Sequence, residues 1–388
     1  MGGKSIWSRD FIFLALINLT TFFGFHMTTT GMPVYASQLG ASDLIAGLVT
    51  TFVAGAALFI RPFAGLMLNH YGRKGILVIS TAAMAAIIVA YAAFPLLGVI
   101  LALRLLHGIA WGLSSTATAT IAADIIPKNR FAEGMGYFAL SAALASALAP
   151  ALSIALVQNA GARLMLLIAA SCTVVSLVFA ALQHAEEMPK VARDTPPQLS
   201  DFFDKRAALP AGMMMLLNCA FASVTTFIAL HGEARGVANI YLYFTVYAVV
   251  TIITRPMIGK VIDKTGYFMP GVLSAVGVAI TLVIIAFSTN ILMFCAAGIF
   301  AGLGMGTGMG TLQTMAVAAA PPERRGVATS TFLFGLDMGI AVGAVVAGAI
   351  ADAAGYANMY LALTIFPSIA CLIFLLLGKN RIARYSEQ

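Results

Sequence analysis

The sequence predicts an all-α membrane protein of twelve spanning helices in two pseudo-symmetric six-helix halves, and three observations carry that prediction. Composition is the first: of 388 residues 61% are hydrophobic and 10% charged, with a mean hydropathy of +0.96, whereas soluble domains carry roughly a quarter charged residues. Length is the second, because a hydrocarbon core of about 30 Å takes about 20 apolar residues per helix, and spans with short loops of about 32 residues each give about twelve. Internal repetition is the third. Arg61-Pro-Phe-Ala-Gly65-Leu-Met-Leu-Asn69-His-Tyr-Gly72-Arg73-Lys74 recurs as Arg255-Pro-Met-Ile-Gly259-Lys-Val-Ile-Asp263-Lys-Thr-Gly266, with Arg61 and Arg255, Gly65 and Gly259, and Gly72 and Gly266 each 194 residues apart. Pro127-Lys-Asn-Arg130 returns as Pro322-Glu-Arg-Arg325 at an offset of 195. Repetition at half the chain length marks duplication of one unit.

Taken in order, the first half covers residues 1–183, with spans expected at 11–35, 43–66, 76–97, 98–123, 134–157 and 162–183. The first span has a polar face built from Asn18, Thr20, Thr21, His26 and Thr28 to Thr30. Residues 184–207 form the single long polar stretch and read as a linker, since Pro189, Pro196 and Pro197 discourage a continuous helix. The second half, 208–388, has spans expected at 208–230, 236–258, 268–288, 290–319, 327–350 and 356–378. Seventeen of the 22 Lys and Arg residues fall in one set of loops, and only Arg163 and Arg235 in the other. By the positive-inside rule both termini and the linker face the cytoplasm, as in a multi-pass protein of the plasma membrane, the inner membrane of a bacterium.

The formal charge of +7 is therefore a matter of topology, and no nucleic-acid surface is expected from it. Cys172, Cys219, Cys295 and Cys371 sit in apolar runs, where a thiol behaves as a small hydrophobe, and no metal-ligand spacing appears. The sequence has no Gly-x-x-x-x-Gly-Lys-Ser/Thr phosphate loop, only the bare tripeptide Gly3-Lys4-Ser5, and no nucleophile and base that can be assembled, so neither ATP drive, a cofactor nor an enzymatic reaction is expected.

Ionisable residues inside the spans are the first candidates for function, because they are costly in hydrocarbon. Asp337 lies ten residues into the eleventh span, about 15 Å deep at about 1.5 Å per residue. It is the leading candidate to exchange a proton, with His107 and His26 beside it in that role. Arg104 keeps its charge and can hold an anion or tune a neighbour.

The Gly65 to Lys74 run resembles the loop signature between helices two and three of the major facilitator superfamily, Gly-x-x-x-Asp-x-x-Gly-Arg-Lys/Arg. The resemblance extends along the whole chain, toward its drug and metabolite efflux branch of proton antiporters. Asn69 stands where the family has its acid, while Asp263 keeps that acid in the second copy. The resemblance implies gating loops formed by Gly65, Asn69, Gly72, Arg73 and Lys74, and by Gly259, Asp263 and Gly266. Arg104-Leu-Leu-His107-Gly108 is similar to the family's Arg-x-x-Gln-Gly pattern. Ala145, Ala149, Pro150 and Ser153 fall on its antiporter signature Gly-x-x-x-Gly-Pro-x-x-Gly, each Gly replaced by Ala or Ser. The fold implied is one cavity between two six-helix halves, opened alternately to each side. The resemblance makes Asn18 and Thr21 in span one, and Asn218 and Thr225 in span seven, cavity candidates. Trp111, Tyr137, Tyr247 and Gln313 are further candidates for its lining. The expected activity is proton-driven export of a small organic compound by a monomer in the lipid bilayer, with an uptake symporter or facilitator as the alternative. A receptor or scaffold without transport is disfavoured by the short loops.

Overall fold

The computed structural model describes residues 7–127, 131–183, 202–321 and 324–383. Among these the chain forms twelve α-helices. The first six are α1 (Arg9–Gln38), α2 (Asp43–Tyr71), α3 (Arg73–Ala93), α4 (Leu97–Ile125), α5 (Phe131–Asn159) and α6 (Ala162–Leu182). A 3-10 turn at Lys205–Ala207 leads into α7 (Ala208–Ala234), α8 (Tyr241–Thr265), α9 (Phe268–Phe287), α10 (Ile291–Ala318), α11 (Arg325–Leu363) and α12 (Ile365–Ala383). Residues 184–201 of the expected linker, Lys128, Asn129, Arg130, Pro322 and Glu323 lie outside the described residues, as do the surroundings of Gly65 and Gly259 and the side chains of Asn69 and Asp263. The apolar stretch Val327–Gly378 is 52 residues long. It breaks at Gly355, whose φ of 79° is non-helical, and so provides two crossings instead of one.

The repeat read in the sequence is a repeat of backbone geometry. Gly72 opens α3 at φ 88°, and its counterpart Gly266 closes α8 at φ 68°. Gly161 and Gly355, also 194 residues apart, hold the corresponding turns at φ 86° and 79°. Other L-residues adopt this region at a cost of about 1 kcal/mol or more, so glycine is what lets a helix reverse within so short a turn.

Contacts divide the chain into two compact units, Met1–Gly31 with Gly55–Thr195, and Met32–Ala54 with Pro196–Gln388. The end of α1 and the start of α2 thus pack with the C-terminal helices. In the first unit Phe11, Leu14 and Ile17 of α1 pack with Leu68, Leu77, Ile121 and Phe138. Polar side chains tie these helices together: Asn18 donates to the Phe138 carbonyl and the Ser141 hydroxyl of α5 at 3.1 and 2.8 Å.

The second unit is held by glycine ladders. A Cβ built on Gly335, Gly339 or Gly343 of α11 falls 2.3, 2.4 and 2.3 Å from the carbonyls of Ala211, Met215 and Cys219 in α7. Both rows advance by four residues, so one face of each helix meets the other backbone to backbone. In α10, Gly298 and Gly302 meet the carbonyls of Tyr243 and Tyr247 in α8 in the same way, and Gly304 meets Gly277 of α9. Small residues at this spacing are how membrane helices gain packing when the hydrophobic effect gives no net drive.

Asp204 fixes the entry to this unit. Its buried carboxylate accepts from Arg324 Nε at 2.8 Å and from the Arg206 backbone N–H at 3.0 Å, and its own N–H donates to Thr331. Burial alone pushes the Asp204 carboxyl up, but the Arg324 hydrogen bond, the Arg206 N–H and the two guanidinium charges outweigh it and hold the group below its ordinary range. A depressed folded pKa adds stability that is present above the unfolded value of about 3.9 and lost as pH falls through the folded one. Asp204→Asn is therefore expected to cost about 1–3 kcal/mol at neutral pH. Melting temperatures of the two proteins should converge as pH falls below about 4.

Candidate functional site

Helical spacing places Arg104, His107 and Trp111 of α4 at i, i+3 and i+7, on one face. Arg104 is fully buried, and its Nη2 donates to the Thr28 carbonyl of α1 at 3.0 Å. Its guanidinium carbon lies 5.7 Å from the centre of the Tyr91 ring of α3. The Tyr91 hydroxyl is 3.1 Å from His107 Nδ1. Arg104 Nε and Nη1 and His107 Nε2 are buried without a hydrogen-bond partner. Trp111 stacks flat on Phe25 of α1 at 3.7 Å, and Phe22 meets the same indole edge-on at 4.6 Å. His26 lies beside both phenylalanines. Three helices thus gather the two histidines, the arginine and the tryptophan singled out from sequence.

Other candidates of this unit join helices to one another. Thr21 shares a 2.5 Å hydrogen bond with Ser176 of α6. Ala145, Ala149, Pro150 and Ser153 are buried along α5, and Ser153 donates to the Met27 carbonyl of α1 at 2.8 Å. Tyr137 is exposed and packs on Trp7 at 4.9 Å. Trp7 precedes Phe25 by eighteen residues, about 27 Å along a helix, so Tyr137 stands well away from the Trp111 cluster. In the gating loop, Arg73 in the first turn of α3 forms an ion pair with Asp124 near the end of α4, and Lys74 is half-buried beside it.

In the second unit Asp337 is 6% exposed. At 3.6 residues per turn, Gly335, Gly339 and Gly343 face α7 and Asp337 takes the opposite face of α11. Asn218 is buried where α7 meets Gly339 and bonds back to the Met214 carbonyl. Thr225 bonds to the Ala222 carbonyl of its own helix. Tyr247 lies parallel to Tyr243 at 6.5 Å and near Phe221, and Gln313 is half-buried in α10.

Sequence reasoning missed one polar junction. Asp352 of α11 accepts from the backbone N–H groups of Asp43 and Leu44 at 2.8 and 3.1 Å, capping α2 from another helix, while Tyr356 donates to Asp43 at 2.6 Å. Gly47 and Gly348 let the two helices touch below it. An acid beyond the expected end of span eleven, opposite the opening residue of span two, was the available signal. Asp352→Ala is expected to speed amide exchange at Asp43 and Leu44 by about tenfold, the loss of about 1.4 kcal/mol of capping, measurable by hydrogen–deuterium exchange.

Two repeated runs of six helices, with ionisable side chains buried at mid-span and an ion pair at a signature loop, define a multi-pass membrane transporter. The chain belongs to the Major Facilitator Superfamily, whose model matches residues 14–287 and 238–386. It is 23% identical over 374 residues to the staphylopine export protein of Staphylococcus aureus, covering 93% of this chain and 94% of that protein. Among solved structures, a bacterial homologue of the human lysosomal transporter Spinster superposes with a TM-score of 0.77 at 14% identity, covering 99% of both chains. The nucleoside transporter NupG superposes at 0.75 and 13% identity, covering 95% of this chain and 99% of that one. At these identities the two structures speak to the fold alone.

Proposed function

We propose that the protein is a secondary active exporter that exchanges a small organic compound for protons by alternating access. The observation that carries this reading is Asp337, a carboxyl buried in mid-helix on the face of α11 opposite the glycine row that meets α7. A carboxyl at that depth costs a few kcal/mol unless it serves a ligand, a proton or a partner. The small-residue run of α5 and the similarity to an export protein favour the outward direction. In this reading both termini are cytoplasmic and the Arg73–Asp124 pair belongs to the cytoplasmic gate. Purified protein in liposomes with an internal pH dye, challenged with amphipathic cations, organic anions and sugars, is expected to move protons against one class. Transport of a compound with no proton movement would make the protein a facilitator. Net accumulation in intact cells would make it an uptake symporter.

A further inference from the structure

We infer that Arg104, His107 and the Phe25–Trp111 stack form a binding site for a small organic monocarboxylate with an apolar or aromatic body. This rests on the transporter reading above and names its substrate class.

The donors decide the sign of the ligand. A guanidinium keeps its proton, and a charge out of water without a counter-charge costs several kcal/mol. Arg104 is fully buried, and no described carboxylate pairs with it: its neighbours are the Thr28 carbonyl and Tyr91, by both its ring and its hydroxyl. Nε and Nη1 have no acceptor. When the Tyr91 hydroxyl donates to His107 Nδ1, the imidazole hydrogen sits on Nε2, which also lacks a partner. Three donors without an acceptor, around one permanent positive charge, call for an anion.

The surroundings decide its body. Tyr91 stands beside the charge, Phe25 is edge-on to His107 at 5.9 Å, and Phe25 in turn carries Trp111, which Phe22 meets on its edge. A single negative charge balances a single arginine, whereas a phosphate dianion leaves an uncompensated charge among aromatic rings. From Arg104 to Trp111 is about 10 Å along α4, the reach of a carboxylate carrying one ring or a short chain.

Trp111 is also the reporter, because the chain has two tryptophans and Trp7→Phe leaves it alone. In that background in detergent, benzoate is expected to change Trp111 fluorescence saturably. Benzamide, benzylammonium and inorganic sulfate should bind at least about tenfold more weakly, the discrimination of one charge-assisted hydrogen bond. Arg104→Gln should lose at least about tenfold in benzoate affinity and Arg104→Lys less, with unfolding temperature reporting that both variants fold. Comparing benzoate with benzamide on unmutated Arg104 decides the matter even if the variants fail to fold. Equal binding of benzamide, equal binding of sulfate, no response to any carboxylate, or full affinity in a folded Arg104→Gln protein overturns the inference. The assay uses no membrane or gradient, so its result is independent of whether export or proton coupling stands.

Discussion

Asp337→Asn is expected to abolish substrate-driven proton movement in liposomes, by about 100-fold or more, while exchange of labelled for unlabelled substrate survives within a few-fold. The residue lies twelve positions into α11, about 18 Å along the helix and near the middle of a 30 Å core. Asparagine keeps the size and hydrogen-bonding capacity of the carboxyl but cannot take up or release a proton. Coupling needs a group whose protonation differs between the two open states, and its removal uncouples the cycle without removing the substrate's own contacts. Loss of exchange together with proton flux would instead make Asp337 a substrate or packing residue. Unchanged proton flux would move the coupling role to His107 or His26.

The parts of this molecule legible in its sequence were those written locally or written twice. Composition and span length give the helices, and the 194-residue offset marks Gly72 and Gly266, which share a backbone conformation that only their repetition betrays. Spacing within α4 aligns Arg104, His107 and Trp111 on one face. Their partners were not legible, because Tyr91, Phe25 and the Thr28 carbonyl come from other helices. The same limit applies to the polar face of α1. Counting polar residues could not tell that Asn18 bonds to α5 and Thr21 to α6, since those acceptors lie 120 residues or more away in the chain. Nor could hydropathy find the Asp352 cap on α2, a contact between residues 309 apart.

The glycine ladder of α11 makes the largest structural prediction: Gly343→Leu is expected to prevent a stable, monodisperse protein from forming. A Cβ there would lie 2.3 Å from the Cys219 carbonyl and 2.6 Å from its Cα. Backbone on both sides leaves no flexible side chain to yield, so α7 and α11 must separate. Separation spreads along the row, because Gly335 and Gly339 meet Ala211 and Met215 just as closely. Overpacking one methyl in a filled interior costs about 1–3 kcal/mol, so Gly343→Ala should lower the melting temperature measurably. Leucine adds three carbons more and should exceed the stability available. Gly212 on the facing helix is the control, since a Cβ there meets nothing within 4 Å. Gly212→Ala should be neutral or stabilising by up to about 1 kcal/mol, because alanine is the better helix former. Size-exclusion profiles and melting temperatures of the three variants test the argument. A monodisperse Gly343→Leu protein melting with the parent would mean that close approach of α7 and α11 does not hold the second unit together.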